Sequence, residues 1–374
     1  MTAALPGLQR IGRGAGDGSW CTELPLKVTV VIPFHSNLSH LAESLPAVRR
    51  SMRSAEVLIA ADGAVDDCGP LAAAWGAQVV SVPGPSGPAV ARNRAAARAS
   101  GDVLAFVDAD VVVAPDALPG MCRLLATNRA VAGVFGAYNL DPREGNFMSQ
   151  YKNLSHAFVH QRGGTEAATF WAGLGAVRAD VFRSAGGFDE GFRRPSIEDI
   201  ELGYRLVAAG YALRLDMRFR GQHLKRWTVW SSIVTDIAAR GIPWTQLILR
   251  TGVLPNDLNT SVALRLSMLL ATAVAVSLAL AVAMPWFVGP AVVLLAALIG
   301  LNGRYYRWFA RQRGILFALR VVPAHVLHHF CNVVSLVVGT ALHVAGRFGV
   351  DLPGALPARS WAPRPGPASA KPPT

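Results

Sequence analysis

The sequence predicts a doubly wound α/β sheet followed by C-terminal membrane helices, and three observations carry that prediction. Residues 27 to 222 alternate short β-branched runs with stretches of helical periodicity, the pattern of strands and covering helices in an open sheet. Acidic and glycine-rich turns follow those runs, at the strand ends where such sheets hold their ligands. From Leu266 to Gly303 the chain carries no charged residue, which helices in soluble cores rarely sustain.

The soluble elements follow in order. Val28–Ile32 reads as a strand ended by Pro33, and Leu38, Leu41, Leu45, Val48 and Met52 then mark one helix face. Glu56–Ala61 is a second strand that stops at Asp62-Gly63, and Gln78–Val82 is a third, after the short apolar stretch Leu71–Trp75. The loop Pro83–Pro88 leads to a helix over Ala89–Ala99, and the apolar run Val103–Val107 is the strand that delivers Asp108-Ala109-Asp110. Further on, Ser196-x-x-Asp199 has the form of a capping box for a helix from Ile197 to Ala209 that stops at Gly210, and Arg214–Phe219 reads as a late strand.

Composition narrows the partners. The 374 residues allow two or three domains, and 36 Lys and Arg against 24 Asp and Glu give a net charge of +12 in a chain that is 52% hydrophobic. Basicity joined to apolar content points to a membrane surface, and no nucleic-acid module is present, so no nucleic-acid partner is expected. The four cysteines, Cys21, Cys68, Cys122 and Cys331, include no CxxC pair, which argues against a zinc site or a disulfide framework. Residues 1–26 are expected to be a flexible leader without the apolar core of a signal peptide.

The apolar half divides at Met284-Pro285 into Leu266–Met284 and Trp286–Asn302, each near the ~20 residues that cross a bilayer. A helical hairpin is expected. Arg304, Arg307, Arg311, Arg313 and Arg320 follow it, and short basic connections stay on the cytoplasmic side, which places both hairpin ends there. Val321–Gly346 is uncharged but holds Pro323 and several histidines, and reads either as a third span or as a re-entrant helix. His325 and His329, one turn apart, suit a metal or interfacial hydrogen bonds; the stretch has no carboxylate to complete a metal site. Between the two halves, Trp227, Trp230, Ile233, Val234, Ile237, Trp244, Leu247 and Ile248 recur at helical spacing around a break at Gly241-Ile242-Pro243. Their tryptophans and flanking basic residues fit a helix in the headgroup layer, though periodicity alone equally fits packing on the soluble domain. The expected organisation is a catalytic domain over 27–225, an interfacial segment over 226–260, membrane helices over 261–347 and a Pro-rich disordered tail over 348–374.

Four strand ends converge on one edge: Pro33-Phe34-His35, Asp62-Gly63, the loop around Gly87, and Asp108-Ala109-Asp110. A nucleotide could rest there, with Asp62 accepting from a base N–H and Arg92-Asn93 at a helix start facing anionic or ribosyl oxygens. An Asp-x-Asp at that place can hold Mg²⁺ or Mn²⁺ against a diphosphate, or can be a plain turn. Gly173 and Gly175 would let backbone approach a sugar closely.

The successive segments VTVVIPFHSN, VLIAADGAVDD, GPAVARNRAAARASGDVLAFVDADV, GGFDEGF and EDIELGYRLVAAGY resemble the ordered motifs of family-2 glycosyltransferases, inverting enzymes of the GT-A fold. The resemblance covers roughly residues 27 to 225. It implies a nucleotide-sugar donor in the Pro33, His35, Asp62 and Arg92 crevice, with Asp62 reading the base, most often uracil. It implies Asp108 beside ribose and metal, Asp110 as ligand of the divalent cation, Glu198-Asp199 as the catalytic carboxylates with Asp199 as base, and His223 on the diphosphate or metal. One departure is Ala64, where many relatives have Ser. The implied activity is transfer of one hexosyl or N-acetylhexosaminyl unit to a membrane lipid or lipid-linked acceptor by a multi-pass protein of the inner or plasma membrane, its catalytic domain cytoplasmic. Alternatives are a processive synthase, a polyprenyl-phosphate glycosyltransferase and a scaffold without activity. Processive relatives carry Gln-x-x-Arg-Trp, which Arg240-Gly241-Ile242-Pro243-Trp244 does not match.

Overall fold

The computed structural model describes residues 26–163, 165–254, 261–350 and 352–356. The leader over residues 1–25 and most of the tail expected beyond Asp351 lie outside these. The nine strands form one mixed sheet in the order β3-β2-β1-β4-β8-β6-β9-β5, with β7 against β9. They are β1 (Val28–Phe34), β2 (Glu56–Asp62), β3 (Gln78–Val82), β4 (Val103–Val107), β5 (Val111–Val113), β6 (Val131–Tyr138), β7 (Glu166–Ala167), β8 (Leu174–Arg178) and β9 (Ala212–His223). The first four are parallel, while β8 runs antiparallel to β4 and β6. A sheet covered on both faces explains why its strands read as continuous apolar runs.

Side chains of one strand point alternately to the two faces. Val103, Ala105 and Val107 of β4 join the layer built by α1 (Leu38–Ser51), α2 (Gly69–Ala74) and α4 (Ala117–Thr127). Leu104 and Phe106 join the opposite layer, built by α3 (Pro88–Arg98), α6 (Ala179–Ser184) and α7 (Glu198–Ala208). Phe106 is fully buried, with ring centroids 5.3 Å from Phe182 and 5.0 Å from Phe188. Phe106→Ala is therefore expected to cost about 3–5 kcal/mol of stability, readable as a fall in the unfolding midpoint.

The remaining helices are α5 (Phe147–Arg162), α8 (Val229–Val234), a π-helical turn over Thr235–Gly241, α9 (Ile242–Thr251), α10 (Val262–Ala281), α11 (Val288–Leu301), α12 (Gly303–Arg313) and α13 (Ile315–Arg347). The expected break at Gly241-Ile242-Pro243 is absent. Pro243 sits in the first turn of α9, where its missing N–H costs nothing, and the π-helical turn joins α8 to α9. Nor does Trp227 face lipid: it is buried in one cluster with Met148, Tyr151, Tyr305 and Phe309. Trp244 donates to the Tyr204 hydroxyl at 3.0 Å, whereas Trp230 remains 73% exposed. Much of the segment read as interfacial thus packs on protein.

Among the described residues two helices, α10 and α13, are long and apolar enough to cross a membrane, or up to three spans if the bent pair Pro285–Leu301 and Gly303–Arg313 counts as one. The second half of the expected hairpin is shorter than the sequence suggests. The 14 residues of α11 rise only about 21 Å, less than the ~30 Å of a hydrocarbon core. Conversely, α13 runs unbroken for 33 residues through Pro323, which makes a span rather than a re-entrant helix the reading its length favours. It approaches α9 closely: a Cβ on Gly339 would meet Thr245 Cβ at 2.7 Å.

One buried ionic group fastens the two halves together. Lys152 of α5 donates to Asp236 Oδ1 at 2.6 Å, and Asp236 Oδ2 accepts from His328 Nδ1 of α13 at 3.0 Å. A carboxylate therefore does reach the histidine turn, through His328, although that stretch of sequence contains none. Burial would raise the Asp236 carboxyl, but Lys152 and His328 hold it well below the usual range. Asp236→Asn is expected to cost about 3–5 kcal/mol, because Lys152 is left buried without its counter-charge. The unfolding midpoint of the purified protein in mild detergent reads the loss.

Candidate active site

Every strand that feeds the site ends at the same edge of the sheet. At the β2 end, Asp62 is buried and caps the following loop: Oδ1 accepts from Ser86 N at 2.7 Å and Oδ2 from Gly87 N at 2.8 Å. Gly63 has φ +51°, and a Cβ there would lie 2.5 Å from the Gly84 carbonyl carbon. Gly63→Ala is expected to displace this loop and to weaken nucleotide binding at least tenfold, as titration calorimetry with UDP would read. His35 Nδ1 donates to the Asp62 carbonyl at 2.8 Å, and Pro33 of β1 lies beside Ala60 in register. Both Asp62 oxygens are thus used to shape the loop.

Arg92 is not at a helix start but in the middle of α3, on the face that carries Ala89, Ala95 and Ala96 into the core. It is 4% exposed and bridges two carboxylates, Nη2 to Asp108 Oδ1 and Nη1 to Glu198 Oε1, each at 2.7 Å. Burial would lower the guanidinium, but Asp108 and Glu198 reverse this and hold it firmly charged. Its neighbour Asn93 serves the loop after α6, donating to Phe188 O and accepting from Phe188 N, both at 2.9 Å. That ties α3 to the loop after α6.

Asp108 is anchored from behind, its N–H donating to Gly173 O at 3.1 Å. Burial raises its carboxyl although Arg92 opposes this. At Gly173 itself a Cβ would come 2.6 Å from the Trp171 indole. Asp110 faces His223 across the β5–β9 pair, Oδ2 to Nε2 at 3.4 Å. Burial would raise the Asp110 carboxyl, yet His223 and Lys225 hold it below the usual range. The His223 ring stacks on Tyr138 at 4.3 Å and 12°, and Trp171 meets Tyr138 in an edge-to-face contact at 4.8 Å.

The sequence reading missed Tyr138. It ends β6, a strand whose apolar run is interrupted by Gly133 and Gly136. Those glycines are required because neighbours press on them: a Cβ on Gly136 would meet Phe219 O at 2.2 Å.

Asp199 stands at the start of α7, which begins at Glu198, so the expected capping box is not formed. Ser196 instead donates its hydroxyl to Ala239 O at 2.7 Å. Asp199 Oδ2 accepts from Ala172 N at 3.0 Å and Oδ1 from Ile200 N at 2.8 Å. Burial, and next to it the charge of Glu198, push its carboxyl up to about 7. A carboxylate so poised can take a proton near neutral pH.

Asp108, Asp110, Glu198 and Asp199 thus share a crevice in which Arg92 is the buried guanidinium. Lys225 adds a second positive charge facing Asp110 and Asp108. Among the described residues no three His, Cys, Asp or Glu side chains gather as a closed metal site. Asp110 with His223 is an open pair, of the kind Mg²⁺ or Mn²⁺ completes with substrate phosphates and water.

Residues 29–186 match the family model described as glycosyl transferase family 2. The chain is 30% identical over 205 residues to the pre-mycofactocin glycosyltransferase of two Mycobacterium tuberculosis strains, which covers 50% of this chain and 41% of each relative. The chain therefore spans about two fifths of the length of the curated relatives it matches. Among solved structures, a mannosyltransferase from Pyrobaculum calidifontis in complex with GDP-Man and Mn²⁺ superposes with a TM-score of 0.52 at 18% identity, over 86% of this chain and 88% of that one.

Proposed function

We propose that this chain, whose residues 29–186 match the glycosyl transferase family 2 model, is a glycosyltransferase that moves one sugar from a nucleotide-sugar donor to a hydroxyl of a membrane lipid or lipid-linked acceptor, with inversion and with a divalent cation. The observation that carries this reading is Asp199, buried at a helix start in the crevice and pushed up to about 7. A hydroxyl nucleophile needs such a base. Asp199 takes the acceptor proton as the oxygen attacks the anomeric carbon, and the bond to the diphosphate breaks on the opposite face. Glu198 keeps Arg92 in place and, through its charge, keeps Asp199 basic.

The loop capped by Asp62, with His35 and Pro33 beside it, receives the base, for which uracil is the choice the family resemblance favours. Asp108 lies beside the ribose. Asp110 and His223 would hold Mg²⁺ or Mn²⁺, which when bound offsets the charge that builds on the leaving diphosphate. Support for a nucleotide sugar and a metal comes from the mannosyltransferase of like fold, solved with both. Support for a lipid acceptor comes from α10 and α13, whose outward faces expose Leu269, Val276 and Val337 by half or more.

The test is transfer of radiolabelled sugar from UDP-sugars to a total lipid extract by the purified protein. The proposal expects label in the organic phase, lost with EDTA and restored by Mn²⁺ or Mg²⁺. Label found only in water-soluble product would contradict the lipid acceptor. As pH rises, kcat/KM is expected to climb through about 7 and level off, because Asp199 accepts a proton only once it is ionised. A profile flat from pH 5 to 8 would remove Asp199 as the base.

A further inference from the structure

A pocket with arginines at its wall lies away from the crevice, and none of the residues assigned to catalysis or donor binding lines it. It is a depression open to solvent, of about 470 Å³, between the end of α5 and the middle of β9, within the size range of ligand pockets. Strand pairing explains why it is open. The chain before β7 bonds β9 as far as Leu215 and the chain after β5 bonds it again from Arg220, so among the described residues the edge between them carries no partner strand. Arg214, Asp216, Arg218 and Arg220 line the gap.

The charges there do not cancel. Arg218 spends its guanidinium on Asp216, Nη2 to Oδ2 at 2.6 Å and Nε to Oδ1 at 3.0 Å. Arg220 donates Nε to Met217 O at 3.0 Å and Arg214 donates to nothing among the described residues, its Nε buried without a partner. Asp216 faces Arg214 as well as Arg218, and the exposed Arg220 has no carboxylate bonded to it among the described residues, but the Arg214 Nε stays desolvated without an acceptor. Burying such a group is costly unless a ligand satisfies it.

The cavity's location decides the kind of ligand. Gln161 lines it and accepts from the Trp308 indole of α12 at 3.1 Å. On α12, Tyr305, Tyr306 and Phe309 are buried while Arg304, Arg307 and Arg311 are exposed. This basic helix directly follows the apolar α11, so on the membrane reading proposed above it lies at headgroup level.

We infer that the cavity between α5 and β9 binds the phosphate of an anionic phospholipid through Arg214 and Arg220. The guanidinium fork suits phosphate oxygens and holds them with two donors at once. The inference rests on the membrane placement of α12, but it does not depend on the chemistry assigned to Asp199.

The probe is dioctanoyl phosphatidylglycerol, titrated onto the purified full chain in an uncharged detergent. Saturable binding is expected, weakened about tenfold or more by Arg214→Gln and by Arg220→Gln, the size of one charge-assisted hydrogen bond. Inorganic phosphate at the same concentration is not expected to displace the lipid, nor dioctanoyl phosphatidylcholine to bind. Arg220 is exposed, so Arg220→Gln should keep the unfolding midpoint and gives a reading even if Arg214→Gln misfolds. Equal affinity in wild type and Arg220→Gln, or displacement by inorganic phosphate, overturns the inference. Flotation with neutral phosphatidylcholine vesicles tests attachment alone. A chain that floats yet shows no arginine-dependent lipid binding sinks the cavity reading and spares the membrane one; a chain that does not float sinks both.

Discussion

Asp199→Asn is expected to lower turnover with a hydroxyl acceptor by about 10²–10⁴-fold, the range of general-base catalysis, and to leave donor affinity unchanged. The substitution keeps the side chain's shape. An Asn oxygen can still accept from Ala172 N, at the cost of the bond from Ile200 N, and the Arg92 contacts to Asp108 and Glu198 are untouched. What disappears is the ability to take a proton, so the loss belongs in kcat, and the rising limb of kcat/KM near pH 7 should vanish with it. The variant also separates two acceptor classes. A polyprenyl phosphate is already ionised and needs no base. Turnover measured with hydroxyl and phosphate acceptors side by side settles the matter: a variant as active as wild type with a hydroxyl acceptor refutes the assignment of Asp199.

Arg92→Met should be the most damaging change outside that pair. Its guanidinium is nearly inaccessible and holds two carboxylates at 2.7 Å each. Removing it leaves Asp108 and Glu198 facing one another without a cation, at a cost of about 3–5 kcal/mol. The remaining charge also acts on Asp199, whose carboxyl Arg92 holds down against burial and Glu198. In whatever fraction folds, the rising limb of the pH profile should therefore move upward. Arg92→Lys should recover only part of the stability, since one ammonium cannot fork between two carboxylates as a guanidinium does. Unfolding midpoints and pH profiles of both variants check this, and an Arg92→Met protein as stable as wild type would contradict the bridge.

The first half of the sheet was legible because its signals are local. β1 to β4 follow from β-branched runs with glycine, proline or aspartate at their ends, and β3 and β4 match their expected bounds. β6 was not legible, because Gly133 and Gly136 interrupt its pattern for reasons that lie in distant residues. The antiparallel insertion of β8 between β4 and β6 likewise leaves no local trace.

At the site, the sequence located the acidic residues but not their partners. Arg92 reads as one of several arginines on an alanine-rich helix, and only the packing of α3 shows which one turns inward. Trp227 has the periodicity of a membrane-surface residue, but periodicity reports a buried face without saying whether lipid or protein buries it. Asp236 sits far in sequence from His328, so a helix that lacks a carboxylate acquires one only in three dimensions.

The claim at the centre of this account is that the crevice binds a nucleotide sugar through a cation held by Asp110. The most direct measurement is the unfolding midpoint of the purified chain against UDP-sugars and GDP-Man, with Mn²⁺ and with EDTA, for wild type and Asp110→Ala. One donor is expected to stabilise the wild type by about 2.7 kcal/mol at a hundred times its Kd, with Mn²⁺ only, and Asp110→Ala is expected to lose that metal-dependent shift. Stabilisation that is equal in EDTA, or unchanged in Asp110→Ala, would contradict it.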